Sequence, residues 1–359
     1  MTYDVIVIGG GASGLTVAAV ALSRGKTVLV LEAGERVGKK ILLAGNGRCN
    51  VTNEHISVDR YNDPLVAPFL EKSEKVPAFF DAIGLVTRTI DGRIYPYTES
   101  GKTVLNLLRA VVPEKFVRTG VVVDGIERVG DVFRVCGETA RSVVLATGSQ
   151  ATVGRESHFL YSPFGHTVRG LLPALCPLRC CRTDVKGLSG LRVKGALSLM
   201  DGDRVVERRL GEILFKEDGI SGVVTLELSR KVFGKRDVAI DFVPDWSARE
   251  TEAFLSEHSI EGVLQRPIAE RVLAQSQRRN ISVAETIKDY RVHSVERMGH
   301  KQAQVMQGGL PLGEFDDRLQ SKFSPGLYAC GEVLDVDGDC GGYNMHWAFL
   351  SGIIVGESV

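Results

Sequence analysis

The stretch Asp4-Val-Ile-Val-Ile-Gly-Gly-Gly-Ala-Ser-Gly-Leu15 restricts the fold of this chain more than any other. Four apolar residues in a row, rich in β-branching, read as a strand buried on both faces, as in a parallel sheet. Gly9, Gly11 and Gly14 follow in the spacing G-x-G-x-x-G, and a helical run extends from Ala12 to about Arg24. Gly9 permits a tight turn out of the strand, Gly11 lets a pyrophosphate approach the backbone, and Gly14 lets the helix pack closely on the strand. The N–H groups and positive dipole end of that helix suit an anion. A second apolar strand, Thr27-Val-Leu-Val-Leu31, ends in Glu32, where an acid holds ribose hydroxyls. Strand, glycines, helix, strand and acid in this order point to a dinucleotide site.

The 359 residues suffice for two to three domains with real cores, since 44% of them are hydrophobic. Lys and Arg number 44 against 44 Asp and Glu, which argues against general attraction to nucleic acid or an anionic membrane. No basic leader or apolar signal core precedes the first strand. The longest apolar run, Trp347 to Val355, is too short for a bilayer. The seven cysteines form no C-x-x-C, and Cys176, Cys180 and Cys181 lack zinc spacing, so no metal is expected. The expectation is a soluble cytoplasmic protein with reduced thiols, a small-molecule substrate and neither nucleic-acid nor membrane partner. Its oligomeric state stays open.

After Glu32 comes a loop centred on Gly45-Asn46-Gly47, which suits positive φ and close approach to a ligand. Lys39, Lys40 and Arg48 add positive charge there. Leu65 to Ala110 reads as helical with breaks around the aromatic turn Gly92-Arg-Ile-Tyr-Pro-Tyr97. Phe116 to Val123 and Phe133 to Val135 read as a strand and part of a β-ribbon. Ser142-Val-Val-Leu-Ala-Thr-Gly148 is another buried strand, ending in small residues that leave room for a nucleotide. Short alternating segments from about His166 predict antiparallel β structure. Helices follow between Pro244 and Tyr290, with starts at Ser247 and Pro267. Short strands return from Val292 to Leu310, then Pro325 to Leu334 runs as a strand into Gly331, and Gly341-Gly-Tyr-Asn344 opens the last helix. The layout predicted is a discontinuous α/β domain, residues 1–165 and 315–359, with an inserted β domain, 166–244 and 292–314, and a helical subdomain, 245–291.

The far end of the chain favours FAD over NAD. A reduced flavin gains negative charge near N1 and O2, which a helix N-terminus stabilises. Gly341 and Gly342 provide such a start, and Glu332 offers a carboxylate to the ribityl chain. A plain nicotinamide dehydrogenase needs neither.

These segments resemble the BaiN/YhiN-like flavoproteins, often described as aminoacetone oxidase family FAD-binding enzymes. The resemblance rests on Val7 to Gly14, Gly38-Lys-Lys-Ile-Leu-Leu-Ala-Gly-Asn-Gly-Arg-Cys-Asn-Val-Thr-Asn53, Gly92-Arg-Ile-Tyr-Pro96, Gly211 to Phe215 with Gly219 to Gly222, Gly331 to Gly338, and Gly341 to Asn344. It implies a Rossmann-like FAD-binding domain of the two-dinucleotide-binding-domain type with an inserted antiparallel β-barrel and a small helical subdomain. It also implies that Gly9, Gly11, Ala12, Ser13, Gly14, Glu32 and Ala33 bind the ADP part. Lys39, Lys40, Asn46, Gly47, Arg48 and Cys49 would lie along the pyrophosphate and flavin. Val122 would meet the adenine through its backbone, with Thr147 and Gly148 beside the cofactor. Gly331, Glu332, Gly341, Gly342, Tyr343 and Asn344 would hold the ribityl and pyrimidine side. The chain departs from the family pattern at Ser149 to His158, at Phe215-Lys216-Glu217 and at Val305 to Gly309.

With FAD bound, the expected activity is hydride transfer to or from a small or medium organic molecule. The two directions are NAD(P)H-dependent reduction of an activated C=C bond and amine oxidation. No second glycine fingerprint is present, so NAD(P)H would act as a transient donor. Arg48, Tyr95, Tyr343 and His346 are the polar candidates for the substrate pocket, the bland alternative being that Tyr343 and His346 pack the final helix. A non-catalytic flavin-binding redox sensor or partner module is the alternative function.

Overall fold

The apolar runs form the parallel heart of a seven-stranded sheet. In this computed structural model, which describes residues 1–152, 157 and 160–359, β1 (Thr2–Ile8) lies between β2 (Val28–Glu32) and β9 (Glu138–Leu145). Their parallel registers bring Ile8 opposite Leu31 on one side and Leu145 on the other. Outward from β2 lies β6 (Val117–Thr119), and the far half of β9 pairs in parallel with β18 (Leu327–Ala329). The near half of β9 carries an antiparallel ribbon, β8 (Val132–Val135) and β7 (Glu127–Val129). Val5 to Val7 have no exposed surface, which explains a strand with no polar alternation. The expected run from Phe116 to Val123 is cut short, however. Gly120 and Val121 donate their N–H groups to Gly34 and Glu32 carbonyls, and Val122 then lies outside any strand.

Helices cover this sheet. On α1 (Ala12–Ser23) a side chain at Gly14 would place its Cβ 2.0 Å from the Gly9 carbonyl oxygen, so only glycine allows the helix to start there. The last helix, α11 (Tyr343–Ser358), packs along α1, and Gly352 makes that approach close: a Cβ there would sit 2.7 Å from the Ser13 carbonyl oxygen. The other helices of this unit are α2 (Lys39–Leu43), α3 (Ala67–Leu70), α4 (Lys75–Ala82) and α5 (Gly101–Val111). Phe80 of α4 meets Phe349 of α11 edge-on at 4.7 Å. A small antiparallel sheet, β3 (Thr52–Asn53), β5 (Arg93–Pro96) and β4 (Thr87–Ile90), replaces part of the helical reading, because the turn at Asp91 and Gly92 closes a hairpin.

The chain divides into two units, Met1–Leu172 with Val305–Val359, and Pro173–Gln304. Strands β10 (Arg169–Ala174) and β17 (Val305–Gly309) pair as a separate ribbon. Within the second unit, β11 (Leu178–Arg179), β12 (Arg192–Asp201), β13 (Arg204–Lys216), β14 (Gly219–Ser221), β15 (Arg236–Asp241) and β16 (Tyr290–Arg297) close an antiparallel barrel. Its interior holds Leu197, Ile213, Phe215, Val238 and Val292, all without exposed surface. Two short helices, α6 (Arg182–Val185) and α7 (Val223–Ser229), sit on it. The helical subdomain comprises α8 (Ala248–Glu257), α9 (Arg266–Arg279) and α10 (Val283–Lys288). Ser247 caps α8 in a reciprocal capping box with Glu250, and Pro267 stands in the first turn of α9, both as the sequence predicts. A Rossmann-like sheet with an inserted antiparallel barrel and helices is therefore borne out.

Phe80 is 1% exposed, so Phe80→Ala should lower stability by about 3–5 kcal/mol. Urea unfolding followed by circular dichroism checks this.

Candidate functional site

The sheet order creates the site. From β1 the chain crosses to β2 on one side, while β9 occupies the other, so a crevice opens beyond their carboxyl ends. Gly9 leaves β1 so near β9 that a Cβ on it would lie 2.2 Å from the Ala146 carbonyl oxygen. Over Gly11, by contrast, a Cβ would meet nothing within 4 Å, and Gly11 is the N-cap of α1 with no side-chain cap bond. An open, uncapped helix start of this kind is a cradle for an anion. At the tip of β2, the Glu32 carboxylate accepts from the N–H groups of Gly10 at 2.7 Å and Gly34 at 2.6 Å. Two bonds fix its orientation and leave acceptor capacity for a ligand hydroxyl. Ala33 continues from it, and Val122, half exposed, comes from the irregular segment after β6.

The turn after β18 enters the same crevice. The Lys40 ammonium reaches across to the Glu332 carboxylate at 2.6 Å, and the Ser149 hydroxyl donates to the other carboxylate oxygen, also at 2.6 Å. The backbone N–H of Met306 completes the set at 3.0 Å. Glu332 is thus already neutralised and oriented, which suits a positioning group and removes it as a free base. Gly331 is held between Ser351, whose hydroxyl accepts its N–H at 2.9 Å, and Trp347, whose indole N–H donates to its carbonyl at 3.2 Å. Lys40, Ser149 and Met306 were not read as a set from the sequence, and pairing over such separations leaves no local pattern. Thr147 shares a hydroxyl–hydroxyl bond of 2.8 Å with Ser157, and Gly148 has φ of 67°. Of the departure from the family pattern at Ser149 to His158, residues 153–156 and 158 lie outside the described residues.

The loop from Lys39 to Asn53 behaves as its glycines require. Gly45, Asn46, Gly47 and Cys49 all have positive φ. Lys39 is exposed, while Cys49 is buried and its thiol is pushed up to about 12 by desolvation; the Cys330 thiol follows suit. Both are held as protonated thiols rather than reactive thiolates. The Asn53 amide donates to the Gly341 carbonyl at 2.8 Å, tying this loop to the start of α11. Gly342 is the helix N-cap, and Asn344 is spent bracing the preceding turn at Gly338. Asn53 closes the predicted motif and could have been read as part of the site.

A cavity of about 750 Å³ lies elsewhere on this unit, between α2, α5 and β6. Of the residues expected to hold a cofactor, Lys39 alone lines it. Among the described residues no group of three or more His, Cys, Asp or Glu could hold a metal ion, and no helix is long and apolar enough to cross a membrane.

The four polar candidates separate. Arg48 donates to Glu99 at 3.2 Å and to the Tyr95 hydroxyl at 3.4 Å, with its guanidinium over the Tyr95 ring. Its side chain is 42% exposed, leaving donors free for a ligand. Tyr95 and Tyr343 are buried. His346 is 1% exposed, with Nδ1 bonded to the Thr52 hydroxyl at 2.7 Å and Nε2 to the Ser73 hydroxyl at 3.0 Å. Both nitrogens are satisfied internally, as a packing role requires.

Burial lowers the His346 imidazole to about 4, so the folded protein keeps it neutral where the unfolded chain, near 6.5, takes up a proton. Its contribution is fully present above about pH 6.5 and is lost as pH falls through about 4, roughly 3 kcal/mol in all. Urea unfolding between these pH values should show a shallower loss for His346→Asn than for the wild type.

The HI0933-like protein Rossmann domain matches residues 3–358. The chain is 32% identical to the 3-dehydro-bile acid delta(4,6)-reductase of Clostridium scindens, over 98% of both chains. It is 27% identical to the ribosomal RNA dihydrouridine synthase of Escherichia coli, over 97% of this chain and 96% of the relative. The 3-ketosteroid-delta4-(5alpha)-dehydrogenase of Rhodococcus jostii, a crystal structure, superposes with a TM-score of 0.51 at 16% identity, covering 99% and 97%; at that identity the likeness is one of fold. With one match running from the first strand to the last helix, and with the resemblance read from the sequence borne out, the chain belongs to the HI0933-like Rossmann family.

Proposed function

We propose that the protein is an FAD-dependent oxidoreductase that reduces a carbon–carbon double bond conjugated to a carbonyl group, with NAD(P)H as transient electron donor. The observation that carries the reading is the convergence of two distant anchors on one crevice. The Gly9–Gly14 turn and Glu32 suit an ADP moiety at one end. The Gly331 turn and the glycine-started α11, coupled through Trp347 and Ser351, suit a second ring system at the other. A mononucleotide would leave the second anchor without purpose.

The residues fit FAD. The open cradle at Gly11 accommodates a pyrophosphate, Glu32 has acceptor capacity for ribose hydroxyls, and Lys40 brings a cation to the same crevice. Bound FAD would supply two-electron hydride chemistry. The chain's own task is then to bind, orient and exclude water. Glu332, fixed by Lys40, Ser149 and Met306, positions the ribityl side, and Arg48 offers accessible donors to polarise a substrate carbonyl.

Reduction is favoured over amine oxidation by the relatives. A delta(4,6)-reductase of a 3-dehydro-bile acid and a dihydrouridine synthase both, by name, add hydrogen to a double bond. A small or medium organic substrate follows from the more similar of the two, and RNA is the competing outcome.

Two experiments test the proposal. Purified protein should be yellow or take up FAD; anaerobic NADH or NADPH should bleach it, and a 3-keto-4,6-diene steroid should restore the colour stoichiometrically. A folded, colourless protein that takes up no FAD overturns the cofactor. Reduction by amines with peroxide release overturns the direction, reoxidation only by ribosomal RNA overturns the substrate class, and FAD uptake without any turnover leaves the redox-sensor alternative. In the second experiment, Glu32→Ala should weaken FAD binding about 10- to 100-fold by removing a charge-assisted bond. Glu35→Ala, at an exposed neighbour, should not.

A further inference from the structure

The small sheet β3-β5-β4 carries two arginines, Arg88 and Arg93, and a third, Arg48, stacks on its Tyr95; they are not equivalent. Arg88 lies opposite Tyr95, and Arg93 lies opposite Asn53 in the β3-β5 pairing. Arg88 bonds the Tyr97 carbonyl and ion-pairs with Glu99 at 3.5 Å; Arg48, stacked on the same sheet, ion-pairs with the other oxygen of Glu99 at 3.2 Å. Arg60, also near the start of α11, is paired with Asp339 at 3.5 Å. Arg93 is different. Among the described residues its guanidinium has no hydrogen bond and no ion pair, although it is half-buried.

Its position gives that unspent charge a direction. A Cβ at Gly341 would lie 3.6 Å from Arg93 Nε, 3.5 Å from Asn53 Nδ2 and 3.5 Å from the Tyr343 ring. Asn53 is locked there by its bond to the Gly341 carbonyl and by accepting the His55 N–H at 2.9 Å. Arg93 therefore stands beside the glycine pair that begins α11. Two positive sources, a guanidinium without a counter-ion and the end of a 16-residue helix, meet at one point. The guanidinium's charge is left to water or to an incoming anion.

We propose that Arg93 is the electrostatic partner of the flavin's pyrimidine end, holding the negative charge that develops along N1–C2=O2 on reduction. This rests on the FAD reading above and adds a residue to it. Arg48 and Arg88 both turn to Glu99, one to each of its carboxylate oxygens, whereas Arg93 turns to no acid.

Sulfite tests this without turnover. Its sulfur lone pair forms a bond to flavin N5, the displaced ring electrons come to rest as negative charge along N1–C2=O2, and no group leaves. Affinity for sulfite thus reports the positive field at that end. FAD-loaded wild type, Arg93→Met and Arg93→Lys are titrated with sulfite by loss of the visible band of oxidised flavin, and their midpoint potentials are measured. Arg93→Met should bind sulfite at least about tenfold more weakly and have a lower potential, while Arg93→Lys stays within a few-fold of wild type. Unchanged sulfite affinity in FAD-loaded Arg93→Met overturns the inference. So does a folded Arg93→Met that no longer takes up FAD, because Arg93 would then anchor the cofactor rather than tune it. If Arg93→Met does not fold, Arg93→Gln takes its place in the same comparison with Arg93→Lys. Wild type that binds no FAD defeats the cofactor reading itself, a separate result.

Discussion

Everything in the nucleotide unit depends on how closely the backbone leaving β1 passes its neighbours. The Gly9 turn lies against the Ala146 carbonyl on one side and beneath the start of α1 on the other, with no room for a side chain. That contact aims α1 at the crevice, sets β1 beside β9, and leaves the space above Gly11 as the place where a ligand can come nearest the backbone. Glu32 and the Ala146–Gly148 turn become neighbours of that space only because the strands carrying them are in register with β1.

The second half of the site depends on α11. Its side chains grip the Gly331 turn, its N-cap touches the loop that ends at Asn53, and its glycine face lies on α1. One helix therefore sets the spacing between the Glu332 side and the Gly11 cradle. The Lys40–Glu332 pair spans the same gap. Partly buried and supported by two further donors to the carboxylate, it is better placed to hold geometry than an exposed pair would be.

Legibility in the sequence followed the range of the interactions. Val5 to Ile8, Gly9 to Gly14, Glu32, the Ser247 cap and Pro267 all declare themselves within a few residues, because turns, caps and buried strands have local chemistry. The Gly45–Gly47 loop was legible for the same reason. The hairpin β4-β5 was blurred into helix, since four-residue strands around Asp91 and Gly92 carry too little alternation to outweigh their helical flanks. Closure of the barrel was implied by resemblance and not by pattern, as β11 supplies only two residues to it. His346 and Arg93 show the limit most clearly. One imidazole is satisfied by hydroxyls from two remote segments, and one guanidinium lacks the acid its neighbours share; neither fact exists before the chain is folded.

The packing of α1 against α11 has a consequence for how the protein is made. Residues 12–23 leave the ribosome before residues 343–358, which cover one flank of α1. Until that last segment is available, α1 has an uncovered apolar flank and the crevice has one wall. The intervening barrel unit has its own core and can fold while the nucleotide unit waits. Contacts closed across such a separation are slow to form. The nascent chain therefore passes through a stage in which the glycine turn exists but the far wall of the crevice does not, and exposure of that flank of α1 during the interval is where misassembly or chaperone capture has its opening.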